Sequence, residues 1–398
     1  MKQPKCLMVC HTFPPLIGGS SGVYAALASH ADGAIAILTS RLDTTGLEQP
    51  GWQSSDAALP FPIRRIGLVR PPLARNAYRF PLLRRISWAF RAVWLATVVA
   101  AEARRHGVAA VCICDDETVG WLVPFARRLL GLRALIYCHG DDLVQRVARE
   151  RRARMRWFRA ANGIIAAGTF AARRLIEGYG VAEDRITIIA NGVDLQRFRP
   201  MPACQSRRTA LGLDGRRIIL APSRLVARKG VDRLIAAMPA IMENHPQALL
   251  LVLGDGPQRE ELVALARSAG VAAAVRFVGA VAVSDMPQYY ALAELVAVPN
   301  RAEPGESDGV PLVFLEANAC GLPVVGGYAG GTPEAVHHGC NGLLVDGRDP
   351  AAIAAAISRI LGDPALATRL SEAGLKAAGA ASWQERTTAF LALCHAPT

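Results

Sequence analysis

Phe198-Arg199-Pro200-Met201-Pro202-Ala203-Cys204-Gln205-Ser206 has neither the two-residue period of a strand nor the 3.6-residue period of a helix. Its two prolines interrupt both kinds of element, so the segment reads as a linker, extended over residues 200–215. On each side, short apolar runs alternate with helical patterns. Before it, strands are expected at 6–11, 34–39, 109–114, 134–139, 163–167 and 186–190, with helices at 78–105, 119–130, 144–161 and 170–177. After it, strands are expected at 218–222, 248–253, 275–278, 295–299, 323–325 and 343–345, with helices at 231–242, 258–269, 312–319 and 351–361. This alternation predicts an α/β protein of two Rossmann-like parallel-sheet domains, residues 1–199 and 216–380, with a final helical segment at 381–398. Ligands of open parallel sheets lie beyond the carboxyl ends of the strands. Two such domains facing across a cleft would place the chemistry between them.

Composition fits this picture. A chain of 398 residues, 52% hydrophobic and 20% charged, holds enough apolar material for large cores and is not a disordered chain. The net charge of +12 is uneven: residues 1–199 carry 28 Lys/Arg against 15 Asp/Glu, whereas residues 200–398 carry 17 against 18. The first half should therefore seek anions. Nine scattered cysteines, with no Cys/His cluster of zinc spacing, suggest a reducing compartment and no metal. Met1-Lys2-Gln3-Pro4-Lys5 leads into a strand rather than a signal-peptide core, and no run of 18 apolar residues occurs. A cytoplasmic protein is expected, with membrane contact at most peripheral.

Four places stand out. A glycine-rich turn, Gly18-Gly19-Ser20-Ser21-Gly22, follows the first strand and suits an anion at a helix start, although it lacks the G-x-G-x-x-G fingerprint. His139 ends a strand and can donate to a substrate hydroxyl or shuttle a proton; a structural histidine is the plainer alternative. Arg224 and Lys229 share one βα loop ahead of Gly230, which suits a diphosphate clamp as well as an ordinary solvated loop. Asp308 and Glu316 stand eight residues apart, one in a loop and one on the helix after it, a spacing suited to accepting bonds from sugar hydroxyls, with the helix start between them open to phosphate. Asp115-Asp116-Glu117 reads as a capping or solvated acidic run.

Together these segments resemble the GT-B glycosyltransferases of retaining family four, over nearly the whole chain. The likeness rests on Ile188-Ile189-Ala190-Asn191-Gly192-Val193-Asp194 with Phe198, on Arg224-Leu225 with Lys229-Gly230, and on Gly254-Asp255-Gly256-Pro257. Phe277-Val278-Gly279, Gly330-Gly331-Thr332-Pro333-Glu334 and Asn341-Gly342-Leu343-Leu344-Val345 follow in the same order. The resemblance implies transfer of a hexose from a nucleoside-diphosphate sugar, UDP- or GDP-linked, to a glycan, lipid-linked or small-molecule acceptor, with no metal or other cofactor. It would put Gly18 and Gly19 near the donor phosphates, His139 beside the sugar, and Arg224 and Lys229 on the diphosphate. Amides near Leu312 and Val313 would hold phosphate, Glu316 the ribose, and Asp308 the sugar hydroxyls. The helix from Trp383 would cross back to the first domain. Two positions depart from the family pattern: Asp308 replaces the usual Glu, and Pro311 replaces a glycine.

A non-catalytic, lectin-like or membrane-docking protein on a degenerate scaffold of this fold is the alternative, with an epimerase or phosphorylase behind it. A nicotinamide oxidoreductase is disfavoured by the missing fingerprint. The surplus charge has its own pattern. Arg75, Arg79, Arg84, Arg85 and Arg91 interleave with Tyr78, Phe80, Trp88, Phe90 and Trp94, and a second arginine run from Arg146 to Arg159 surrounds Met155, Trp157 and Phe158. Such interleaving suits an anionic membrane surface; aromatics buried in the core beneath solvated arginines are the competing reading. No nucleic-acid-binding module accompanies the charge.

Overall fold

The computed structural model describes residues 5–16, 18–43, 47–67, 81–143 and 148–395, with residues 81–87 and 148–150 as backbone alone. The helical expectations at 78–80 and 144–147 lie outside the described residues. The chain divides into two compact units, Met1–Ala190 with Trp383–Thr398, and Asn191–Ser382.

In the first unit the described residues form seven parallel strands: β1 (Cys6–Val9), β2 (Ile35–Ser40), β3 (Ile63–Ile66), β4 (Ala110–Ile113), β5 (Arg133–Cys138), β6 (Gly163–Ala166) and β7 (Ile186–Ile188). Their order across the sheet is β3-β2-β1-β4-β5-β6-β7. The helices between them are α1 (Gly19–Ser29), α2 (Trp52–Ala57), α3 (Pro81–His106), α4 (Asp116–Val119), α5 (Leu122–Leu129), α6 (Ala148–Ala160) and α7 (Thr169–Tyr179). The second unit has six parallel strands: β8 (Arg217–Pro222), β9 (Ala248–Leu253), β10 (Val275–Gly279), β11 (Leu295–Val298), β12 (Val324–Gly327) and β13 (Gly342–Val345). Their order is β10-β9-β8-β11-β12-β13. Its helices are α8 (Gln205–Ala210), α9 (Val231–Asn244), α10 (Arg259–Ser268), α11 (Met286–Tyr290), α12 (Leu312–Ala319), α13 (Thr332–Ala335), α14 (Pro350–Gly362) and α15 (Pro364–Gly379). The last helix, α16 (Trp383–His395), belongs to the first unit and packs against α1.

The central strands are continuous apolar runs because both faces are covered by helices. Cys-Leu-Met-Val of β1 and Ala-Leu-Leu-Leu-Val-Leu of β9 are buried at every position. β3 is the strand that sequence reading misses. Its Ile-Arg-Arg-Ile lies at the sheet edge, where Arg64 reaches Glu102 and Arg65 holds both carboxylate oxygens of Asp56 at 2.7 and 2.8 Å.

The boundary between the units falls at Ala190/Asn191 rather than at residue 199. Apolar burial explains the shift: Phe198 meets Tyr290 edge to face, with centroids 5.9 Å apart, and the Val193 N–H donates to the Ala381 carbonyl at 2.8 Å. Within each sheet, strand order reverses at one place, between β1 and β4 and between β8 and β11. Chains leave these neighbouring strand ends in opposite directions, which opens a crevice above each sheet.

The acidic run after β4 corrects one expectation. Asp116 is not solvated but 1% exposed, and Arg154 grips both its oxygens at 2.6 and 2.8 Å. Arg154 also donates to the Asp142 carbonyl at 2.6 Å, tying α6 to the loop beyond β5. Removing one partner of such a buried pair typically costs about 3–5 kcal/mol, because the other charge is left unpaired. Arg154→Ala should lower unfolding stability by that amount in urea titration, and Asp116→Asn with Arg154→Met should recover much of it. A loss below about 1 kcal/mol would show that the pair is dispensable.

Candidate active site

In the second unit, the loops leaving β8 and β11 at the strand-order reversal meet around one carboxylate. After β8 the chain passes Arg224 and a tight turn, Ala227–Lys229, to Gly230. Gly230 has φ +73°, and a Cβ there would lie 2.2 Å from the Pro299 carbonyl oxygen, so only glycine lets the two loops touch. From the β11 loop, Asp308 is 7% exposed. Its Oδ1 accepts from Arg228 Nε at 2.9 Å; its Oδ2 lies 3.0 Å from Lys229 Nζ and accepts from Asn300 Nδ2. Arg228 also donates to Glu306 at 2.9 Å. Burial alone would raise the Asp308 carboxyl, but Lys229 and Arg228 outweigh it and hold the group below the usual carboxylate range. Burial lowers Lys229, and Asp308 restores part of the loss.

Arg224 differs from its neighbours. It is exposed, and its guanidinium has no partner among the described residues. In the same two loops, Ser223 Oγ and Asn300 Oδ1 are buried without a hydrogen-bond partner, the condition of groups that wait for a ligand or water.

α12 begins immediately after this cluster. Pro311 precedes it, no side chain caps it, and Leu312 and Val313 form its first, half-buried turn. Their N–H groups are those that a helix start leaves without an intrahelical acceptor. One turn on, Glu316 accepts from the Tyr290 hydroxyl at 2.8 Å, and the same hydroxyl lies 3.4 Å from the Val313 carbonyl. Burial raises the Glu316 carboxyl, while the Tyr290 bond and Arg197 oppose that rise.

In the first unit, His139 follows the last residue of β5 and is 9% exposed. The Asp142 carboxylate accepts from the His139 and Gly140 amides at 3.1 and 2.7 Å, which folds the loop under the ring. The ring stacks on Tyr137, with centroids 4.9 Å apart, and its Nε2 lies 2.8 Å from the Tyr24 hydroxyl oxygen. Tyr24 has one hydroxyl proton and gives it to the Cys114 carbonyl at 3.0 Å. Nε2 must therefore be the donor to Tyr24, which leaves the lone pair on Nδ1. Tyr24 lies on α1, the helix that Gly18 precedes and Gly19 opens; both glycines are exposed, and a Cβ at Gly19 would meet nothing within 4 Å.

The structure thus joins Lys229 directly to Asp308, places Arg224 in the same loop, and sets Leu312, Val313 and Glu316 on the helix that follows. His139, Gly18 and Gly19 form a separate group through α1. Sequence reading overlooked Arg228, Asn300, Tyr290 and Tyr24. Arg228 was visible beside Lys229, whereas the two tyrosines reach their partners from 26 and 115 residues away and leave no local signal.

Residues 205–377 match the family described as "Glycosyl transferases group 1", and residues 52–197 match "Glycosyltransferase Family 4". A "GDP-mannose-dependent alpha-(1-6)-phosphatidylinositol monomannoside mannosyltransferase" of Mycobacterium tuberculosis is 34% identical over 273 residues, 68% of this chain and 71% of that protein. The chain belongs to the group 1 glycosyltransferases. A "D-inositol 3-phosphate glycosyltransferase" of Acidothermus cellulolyticus is 35% identical over 242 residues, 58% of this chain and 52% of that one. Anabaena HepE, solved in complex with UDP, superposes with a TM-score of 0.77 at 20% identity, over 97% of this glycosyltransferase and 98% of HepE, and shares its GT-B fold.

Burial lowers the His139 imidazole from about 6.5 to about 4, against the pull of Asp141. A group lowered in this way contributes stability that is complete above its unfolded value and is lost as pH falls through the folded one. The enzyme should therefore lose up to about 3 kcal/mol through His139 between pH 6.5 and 4. His139→Gln keeps a donor for Tyr24 but does not titrate. Its urea stability should fall less steeply over that window, and parallel curves for the two proteins would contradict a buried neutral ring.

Proposed function

We propose that this glycosyltransferase moves a hexose from a nucleoside-diphosphate sugar to a lipid-linked, inositol-bearing acceptor, with retention at the anomeric carbon and without a metal ion. The observation that carries the reading is the loop after β8. It brings three cations to the strand-order reversal, two of them set on Asp308 and the third, Arg224, unpaired.

Breaking the anomeric carbon–oxygen bond leaves negative charge on the diphosphate. Arg224, Lys229 and the amides of Leu312 and Val313 would stabilise that charge where it develops, with little reorganisation because Asp308 already orients Lys229. Glu316 would accept from the ribose hydroxyls and Asp308 from those of the sugar. His139, neutral at pH 7, would orient and polarise the sugar without bonding to it. Gly18 and Gly19 would let phosphate and acceptor approach the start of α1. The acceptor hydroxyl would attack on the face the diphosphate leaves, passing its proton to a leaving phosphate oxygen. Retention follows from the family resemblance. The name of the mycobacterial relative supports a GDP-linked mannose as donor, and the names of both relatives support an inositol-bearing acceptor. A non-catalytic role is not favoured, since both are named as transferases.

Thermal shift with GDP, UDP and ADP should single out GDP, and mannose transfer should persist in EDTA. Activity that vanished in EDTA and returned with Mg²⁺ or Mn²⁺ would refute the metal-free reaction. Because Arg224 makes no contact that the fold uses, Arg224→Ala should leave the melting temperature unchanged and lower kcat by about 10²–10³. An unchanged kcat would remove Arg224 from the diphosphate.

A further inference from the structure

We propose that α3, α5 and α6 of the first unit form a docking surface for an anionic lipid bilayer, with residues 88–94 of α3 as the part that enters the interface. It gives the lipid-linked acceptor proposed above its setting, yet rests on separate observations.

The three helices lie side by side, α3 against α5 and α5 against α6, on one face of the sheet. Leu95, Leu122 and Phe158 send their apolar side chains into a common core with Val9 and Ile113. What remains faces outward, and its charge is one-sided. The 47 residues of these helices contain 13 arginines against Glu102 and Glu150; one of the arginines, Arg154, is buried on Asp116 and adds nothing to the outer charge. Glu102 is buried against Arg64 and does not offset the outer charge. Arg91, Arg128, Arg152 and Arg156 are exposed.

Charge alone would describe any basic face, but α3 adds a second feature. Trp88 is 52% exposed, Phe90 78%, Val93 67% and Trp94 47%. At 100° per residue Phe90, Val93 and Trp94 fall within an arc of about 100° on the side away from the buried Leu95 and Val99, so a core-facing stripe does not account for these three. The sequence alternative, aromatics buried beneath a solvated arginine face, does not hold for Trp88, Phe90 and Trp94. It does hold for Phe158, which is 1% exposed. Trp88 stands edge-on to Trp121, and beside them Leu42, Trp94 and Leu95 line a cavity of about 270 Å³ with Arg91 among its walls. Arg75, Tyr78, Arg79, Phe80 and Arg146 of the sequence reading lie outside the described residues.

Exposed tryptophans next to arginines match the chemistry of a bilayer interface, where indoles settle at headgroup depth and cations meet phosphate. The same charge opposes a second copy of the chain. Among the described residues no single helix is long and apolar enough to cross a membrane, so the contact argued here lies along the surface.

The test is co-sedimentation of the full chain with phosphatidylcholine vesicles containing increasing fractions of phosphatidylglycerol, at low and high salt. Binding should rise with phosphatidylglycerol and fall with salt. Arg128→Ala and Arg156→Ala should each lower the partition coefficient about fivefold. Phe90→Ser with Val93→Ser should lower it about tenfold or more while melting temperature and transfer to a water-soluble acceptor stay unchanged. No binding, binding indifferent to lipid charge and salt, variants that bind like the parent, or capture of single-stranded RNA in place of vesicles would each overturn the proposal. Vesicle binding without sugar transfer would refute the proposed reaction and leave the docking surface standing.

Discussion

The second unit is organised around the Asp308 carboxylate. A buried carboxylate is costly unless it is neutralised. Here Arg228 and Lys229 arrive from one strand end, and Asn300 arrives from the other. Meeting that requirement sets the path of both loops. Gly230 must lie flat on Pro299, and the close approach continues in the loop after β12, where a Cβ on Gly330 would fall 2.0 Å from the Asp308 carbonyl oxygen. The site is therefore shaped by the interaction that makes burial of Asp308 tolerable. Arg228 and Lys229 are held in place before any ligand arrives, the condition that the proposed stabilisation of a diphosphate requires.

The first unit solves a similar problem with hydrogen bonds in place of ion pairs. One hydroxyl proton on Tyr24, directed to the Cys114 carbonyl, decides which nitrogen of His139 carries hydrogen. Burial then keeps the ring neutral. The strand ends β4 and β5 are tied to α1 through this relay, so the start of α1 and His139 depend on one another across the sheet. Beneath them, Arg154 links α6 to Asp116 and to the loop that carries Asp142.

The strand–helix alternation was legible because buried parallel strands have few alternatives to continuous apolar runs, and β9 matches its expected limits at both ends. β3 was not legible because an edge strand with two arginines lacks that signature. Arg224, Lys229, Asp308 and Glu316 could be picked out by their place after strands and by spacing. Their partners could not. Nothing near Glu316 announces Tyr290, and nothing near His139 announces Tyr24, since both pairs are made by tertiary folding. The same holds for Asp116, whose solvated appearance in an acidic run is reversed by an arginine 38 residues away. Sequence reading reaches the residues that local geometry positions and stops where a polar group's partner comes from another element.

The most direct test of this account is a double-mutant cycle between Asp308→Asn and Lys229→Met, followed by urea unfolding at pH 7. Asp308→Asn leaves the buried Lys229 ammonium without its carboxylate, and Lys229→Met leaves Asp308 with only Arg228 and Asn300, so each should cost about 3 kcal/mol. The double variant should cost little more than either, a coupling of about 2–3 kcal/mol. Single losses that simply add would contradict the claim that the Asp308–Lys229 pair organises the site.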